Sequence, residues 1–228
     1  MIHKSQHVSV LFLFLATLFI TCLMAANLFA TKQISFGPVN FTGAIFVFPI
    51  SYIVNDVVSE VWGFRRTRLL IWLAFAMNFL FVILGALIDL IPGAGWWRDT
   101  PAGAGFHALF GLAPRIVAAS FLAFIVGSFV NAFVMSKMKV RDEGRRFTLR
   151  AVLSTLAGET CDSLIFFPVA LLGIVPLEQM PSFVLWQVTL KTCYEIIILP
   201  VTIRVVRWVK KKENADVYDR DISYNIFK

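Results

Sequence analysis

Asn55, Asp56 and Glu60 stand inside an otherwise apolar stretch, VFPISYIVNDVVSEVWG, which runs into Arg65, Arg66 and Arg68. On a helix, a spacing of four puts Asp56 and Glu60 on one face, with Asn55 about 100 degrees round from Asp56. Asn27, Arg115, Ser128, Asn131, Glu159, Asp162, Lys191 and Glu195 also fall within apolar runs. An ionisable group at bilayer depth costs from about 2.5 kcal/mol upward, so such groups face a bundle interior or a wet cavity and mark a binding site or a pathway. The acids here (Asp56, Glu60, Glu159, Asp162, Glu195) outnumber the bases (Arg115, Lys191). Some of the acids are therefore protonated, wet, or reserved for a substrate. Lys191 and Glu195, four apart on one face, can pair with each other, as can Arg115 with Asp162 across helices. Asp56, Glu60 and Glu159 are the stronger ligand candidates.

Catalytic chemistry finds no support in the residues. There is no GxSxG elbow, no HExxH and no GxxxxGK[ST] phosphate loop, and His3, His7 and His107 lie at or outside the ends of the apolar runs. No cofactor or metal is expected, and the remaining chemistry is transport or binding. Cys22, Cys161 and Cys193 lack CxxC or metal spacing and read as buried thiols.

The elements that must position these groups follow from composition. Of 228 residues, 58% are hydrophobic and 15% charged, and the mean hydropathy is +0.77, well beyond a soluble domain. Runs near the roughly 20 residues needed to cross hydrocarbon fall at about 8–30, 41–61, 69–91, 114–136, 149–173 and 182–206. The expected fold is therefore all-α: one polytopic membrane domain over 1–228, a bundle of six transmembrane helices, with a short tail over 207–228. The net charge of +7 is topological and implies no nucleic-acid partner. Apart from Lys32, Arg98, Arg115 and Lys191, every Lys and Arg falls in the N-terminus, the second loop, the fourth loop or the C-terminal segment. The positive-inside rule then places both termini in the cytoplasm. In the long third loop, Trp96 and Trp97 suit the membrane interface, residues 106–112 suit a short helix, and His107 an interfacial polar role. Gly127-Ser128-x-x-Asn131 and Gly158-Glu159-x-x-Asp162 repeat one small-polar pattern at an offset of 31. That is either a repeat of the kind transporters use or two similarly constrained helices.

The chain resembles the queuosine precursor transporters, six-span membrane proteins also grouped as vitamin uptake transporters. The resemblance covers nearly the whole length. It is carried by Asn27, the FPISYIVNDVVSEVWG stretch, Pro114-Arg115-Ile116 with Ala119-Ser120, Ser154-Thr155, Asp162-Ser163, Lys191, Pro200 and the tail ENADVYDRD running to Asn225 and Phe227. The family's usual Ser-Gln followed three residues later by Asp departs here, where the Gln positions hold Ser128 and Glu159 and the first Asp position holds Asn131. The resemblance implies import of 7-deazaguanine bases across the inner membrane for salvage into tRNA. A guanine-like edge offers two parallel donors, which a carboxylate of Asp56, Glu60, Glu159 or Asp162 can accept together. Its carbonyl wants a donor such as Lys191, Arg115 or Asn27, and Phe48, Tyr52 or Trp186 can stack on the ring. The expected partners are this deazapurine and the lipid bilayer; a homodimer, common among small transporters, is left open by the sequence. The alternative is a substrate-binding subunit that docks a separate ATPase. A third reading, a structural protein of the membrane, leaves the buried polar set without a purpose.

Overall fold

The structure, a computed structural model, describes residues 9–30, 32–36, 39–110, 114–171 and 177–219. Ser9 caps α1 (Val10–Phe29) by accepting a 3.0 Å hydrogen bond from the Phe12 amide. The chain then forms an antiparallel hairpin, β1 (Gln33–Phe36) and β2 (Val39–Thr42), with Gln33 opposite Thr42. A 3-10 turn (Gly43–Phe46) leads into α2 (Phe48–Trp62). Next come α3 (Phe64–Asp89), the short α4 (Gly95–Arg98) and α5 (Pro101–Phe110), and the long α6 (Pro114–Arg141), α7 (Phe147–Leu171) and α8 (Met180–Glu213).

Five of these helices, α1, α3, α6, α7 and α8, are long and apolar enough to cross a membrane. The sixth expected span, 41–61, is different. Its first residues belong to the hairpin and the 3-10 turn, and only the 15 residues of α2 are α-helical. Fifteen residues rise about 22 Å, short of a hydrocarbon core of about 30 Å. The helical class stands as expected, and among the described residues the one addition to it is a two-stranded hairpin.

α2 is the hub. It packs against α1, α3, α6 and α8, and Val54, Val57, Val58 and Val61 are buried. The apolar core gathers round it, with Phe12 edge-on to Trp62 at 5.2 Å and Phe19 against Phe124 at 5.8 Å. Outward faces of α3 and α8 expose Leu69, Leu80, Leu84, Leu87, Leu185 and Ile197, as helices solvated by lipid do. Trp186 and Cys193 lie on this outer side. Trp186 is thus removed from the stacking candidates, and Cys193 is not the buried thiol expected. Cys22 is buried, as expected, and Cys161 half-buried.

The helices overrun the expected loops where bases occur. Arg65, Arg66 and Arg68 lie in the first turns of α3, and Lys137, Lys139 and Arg141 in the end of α6. α8 continues through Arg207 and Lys212. Long cationic side chains bury their stems and keep their heads at the interface, so a base does not end a membrane helix; Arg66 lies 5.7 Å over the Phe12 ring. The short helix expected over 106–112 is found as α5, ending at Phe110, with 111–113 outside the described residues. His107, 59% exposed, pairs with Asp89 at 2.7 Å.

A single residue joins α2 to α3. Gly63 has φ +79° and ψ 174°, a region essentially restricted to glycine. A Cβ there would stand 2.6 Å from Asp219 Oδ1. Gly63→Ala should therefore lower stability by about 1–3 kcal/mol, read as a drop in thermal unfolding temperature in detergent. An unchanged temperature would show that the junction relaxes freely.

Candidate functional site

The polar residues of the bundle collect into two clusters, one turn of α2 apart. The first surrounds Asp56. α6 and α7 are joined by only five residues, 142–146, so they run antiparallel, and they pack on each other more extensively than any other pair. They come into close backbone contact at Gly127 and Gly158. A Cβ on Gly127 would meet Gly158 O at 2.9 Å and Asp162 Cβ at 2.9 Å; one on Gly158 would meet Gly127 O at 2.8 Å and Asn131 Cβ at 3.0 Å. The contact is reciprocal, and the two copies of the small-polar pattern face each other across it. Tyr52 of α2 closes the third side, 2.8 Å from the one Cβ position through its hydroxyl and 3.2 Å from the other through its ring. Small residues permit this approach of backbones, the main source of helix affinity in lipid.

The side chains one turn beyond those glycines form the cluster. Lys191 of α8 holds Glu159 at 2.6 Å and Asp162 at 3.4 Å, both on α7. Lys191 thus reaches across to α7, and Asp162 meets a cation of α8; the expected Arg115–Asp162 pairing falls on a side chain outside the described residues. Glu195 accepts a 2.6 Å hydrogen bond from Thr155 Oγ1. Asp56 lies close enough to Glu195 and the Asn131 amide to interact with both, yet no described residue gives either of its oxygens, or either polar atom of the Asn131 amide, a well-aligned hydrogen bond. Asn55 donates to Ser128 O at 3.5 Å, and its own Oδ1 is unpartnered. Asp56 and Asn131 are wholly buried, and Asn55, Ser128, Glu159, Asp162, Lys191 and Glu195 nearly so. Four carboxyl groups thus share a dry space with one ammonium. A buried, unsatisfied polar group costs about 1–3 kcal/mol, and more if charged, so Asp56 and Asn131 together form a standing demand for donors and acceptors.

Glu60 belongs to the second cluster. Its Oε2 accepts from Arg150 at 2.8 Å and its Oε1 from Lys210 at 2.7 Å, with Lys139 3.8 Å away. Lys139 also donates to the Glu60 carbonyl, to Asp216 Oδ1 at 2.6 Å and to Val217 O at 2.8 Å. Arg150 also holds Asp142 at 2.7 Å. Partial burial disfavours the Asp216 carboxylate, but hydrogen bonds from Lys139 and Lys210 outweigh it and hold its pKa below the ordinary value. Because the folded-state pKa is the depressed one, the pairing is fully present above about pH 3.9 and is lost only as pH falls through that lower value.

Asn27 lies in neither cluster as described. Its Oδ1 accepts from Ser120 Oγ, an interhelical bond between α1 and α6. Arg115 begins α6, but its side chain, like that of Phe48, lies outside the described residues. Sequence reasoning passed over Asn78, buried in α3 with neither polar atom bonded, and read Lys139 and Arg150 as loop residues although both are buried. The signal for Lys139 was present: Asn131, Met135 and Lys139 recur every four residues on one face of α6.

The family model described as "Putative vitamin uptake transporter" matches residues 42–205. The "Probable queuosine precursor transporter" of Bacillus subtilis (strain 168) is 25% identical over 195 residues, 84% of this chain and 83% of that protein. The "Queuosine precursor transporter" of Escherichia coli (strain K12) is 25% identical over 167 residues, 73% of this chain and 71% of that protein. No solved structure matches the chain. With its several membrane-crossing helices and a match across most of its length, the chain is a multi-pass membrane protein that belongs to the vitamin uptake transporter family.

Proposed function

We propose that the protein imports queuosine precursors, 7-deazaguanine bases such as preQ0, preQ1 or queuine, across the inner membrane, with both termini in the cytoplasm. Six membrane segments serve this, α2 being the short central one. The observation that carries the reading is Asp56, a wholly buried carboxyl group that faces the Glu195 carboxyl and the Asn131 amide and to which no described residue gives a well-aligned hydrogen bond. A deazaguanine edge supplies what this pair lacks. Its ring N–H and exocyclic amine point the same way and fit a carboxylate in a bidentate manner, and its carbonyl can accept from the Asn131 amide or from Lys191. Tyr52, set against the Gly127–Gly158 contact, offers a ring for stacking. The names of the two relatives point to the same class of cargo.

Asp56→Asn keeps the shape but turns one acceptor into a donor. Losing one or two charge-assisted hydrogen bonds, at about 1.5–3 kcal/mol each, should weaken binding of the base to purified protein by about 10- to 100-fold or more. Uptake should fall with it in cells that lack both precursor synthesis and their own importer. Wild-type uptake by Asp56→Asn, at normal levels in the membrane, would remove Asp56 from the site.

A further inference from the structure

Below the Asp56 cluster, three layers follow one another toward the basic end of the bundle. The first is apolar: Met135 of α6, Ala151 of α7 and Leu199 of α8 bury one another, backed by Phe147 and Ile203. The second is the ionic network of Glu60, Lys139, Arg150 and Lys210. The third is the chain after α8, residues 214–219, which crosses the end of the bundle. Its Val217 amide donates to Val61 O of α2 at 3.1 Å. Asp219, buried, accepts from the first amide of α3, Phe64 N, at 2.8 Å, and from Ser136 of α6. Asp216 ties the same segment to Lys139 of α6 and Lys210 of α8.

α8 threads all three layers. Lys191 and Glu195 reach the binding cluster, Leu199 the seal and Lys210 the ionic layer, and the helix then runs on into the crossing segment. Pro200 follows the seal residue directly. A proline inside a helix removes one backbone hydrogen bond and marks a place where the helix bends.

We infer that residues 214–219 are a latch that holds the basic end of the bundle shut, that Glu60 is the post it closes on, and that α8 beyond Pro200 is the arm that swings when it lets go. This rests on the transport reading for its purpose, but not for its test. Glu60 differs from Asp56 accordingly: both its oxygens are taken up by cations of other helices, so it works for closure, and the cargo meets Asp56 one turn deeper.

The test reads opening directly. In a background with Cys22, Cys161 and Cys193 replaced by serine, a reporter Thr202→Cys is placed on α8 between seal and ionic layer, where Thr202 is buried. A membrane-impermeant cationic thiol reagent is applied to each face of sealed vesicles. With the latch intact, labelling should be slow from both faces. With Asp216→Asn and Asp219→Asn together, labelling from the basic face should rise tenfold or more, and from the other face not at all. Unchanged labelling, or an equal rise from both faces, would overturn the latch. Because the double variant may lose stability as a whole, a second form is used: Val61→Cys with Val217→Cys, the reporter omitted. Its disulfide should abolish precursor uptake while leaving precursor binding in detergent intact, with uptake restored by a reductant. Uptake that continues through the oxidised form would also overturn the latch. If the wild-type protein binds no deazaguanine base, the transport reading fails, and the labelling result still decides the latch.

Discussion

Lys191→Met should cost the protein its transport and several kcal/mol of stability at once. Lys191 is the one described cation in contact with Glu159 and Asp162, at 2.6 and 3.4 Å, and all three side chains are buried. Methionine fills nearly the same volume, so packing changes little and the loss is electrostatic. Removing one partner of a buried ion pair typically costs about 3–5 kcal/mol, because the charge left behind has neither water nor a counter-ion. The two roles of Lys191 can be separated. Adding Glu159→Gln and Asp162→Asn to Lys191→Met leaves a neutral site of the same shape, which should recover most of the thermal stability. If Lys191 only staples α7 to α8, uptake should return with stability. If the cluster meets the cargo, uptake should stay at least 100-fold below wild type, about 2.7 kcal/mol at 1.36 kcal/mol per tenfold. Near-normal uptake by the neutral triple variant would remove this charge cluster from the site.

Gly158→Val should be as damaging by a different route. The would-be Cβ lies 2.8 Å from a backbone carbonyl, Gly127 O, and 3.0 Å from Asn131 Cβ. Neither can rotate away, so α6 and α7 must separate. Overpacking commonly costs about 1–3 kcal/mol, and here it also removes a close backbone contact in a bundle that gains little from burying apolar surface against lipid. Gly158→Ala should remain folded with a lower unfolding temperature, while the branched Gly158→Val should give little monodisperse protein by size-exclusion chromatography. Since Asn131, Glu159 and Asp162 all stand beside this contact, even the alanine variant should lose transport. A misplacement near 1 Å at a reacting or binding centre can cost about 100-fold. A valine variant with wild-type unfolding temperature would show that the two helices are not held at this point.

The long helices were legible because hydropathy reports lipid, and lipid is what most of their surface meets. Asp56 stood out because its insertion cost is visible in one dimension. The hairpin was not legible: Phe41 and the residues after it are apolar enough to read as the start of a span, although Gly37-Pro38 between two short β-forming runs is a turn signal. Charge arithmetic failed at Lys139 and Arg150, which the loop rule assigns to water. They are buried because their acids arrive from far along the chain, Glu60 from 79 and 90 residues away and Asp216 from 77. The contacts of Lys191 with α7 were not legible for a related reason. A spacing of four says that Glu195 shares its face, but only the rotation and neighbours of α8 decide that Lys191 turns toward Glu159. The offset pattern of Gly127 and Gly158 was visible in the sequence, whereas its meaning, two glycines touching, is a property of the antiparallel pair.

The brevity of α2 bears on how a membrane voltage would act on this protein. Its 15 residues rise about 22 Å, less than a hydrocarbon thickness of about 30 Å, and the hairpin and 3-10 turn precede it in the chain. An electric field falls mainly across what stays dry, here the buried cluster round Asp56 and the layer of Met135, Ala151 and Leu199. A cargo carrying one positive charge would thus receive its electrical push, about 2.3 kcal/mol per 100 mV across the whole membrane, in the dry steps between Asp56 and those three side chains.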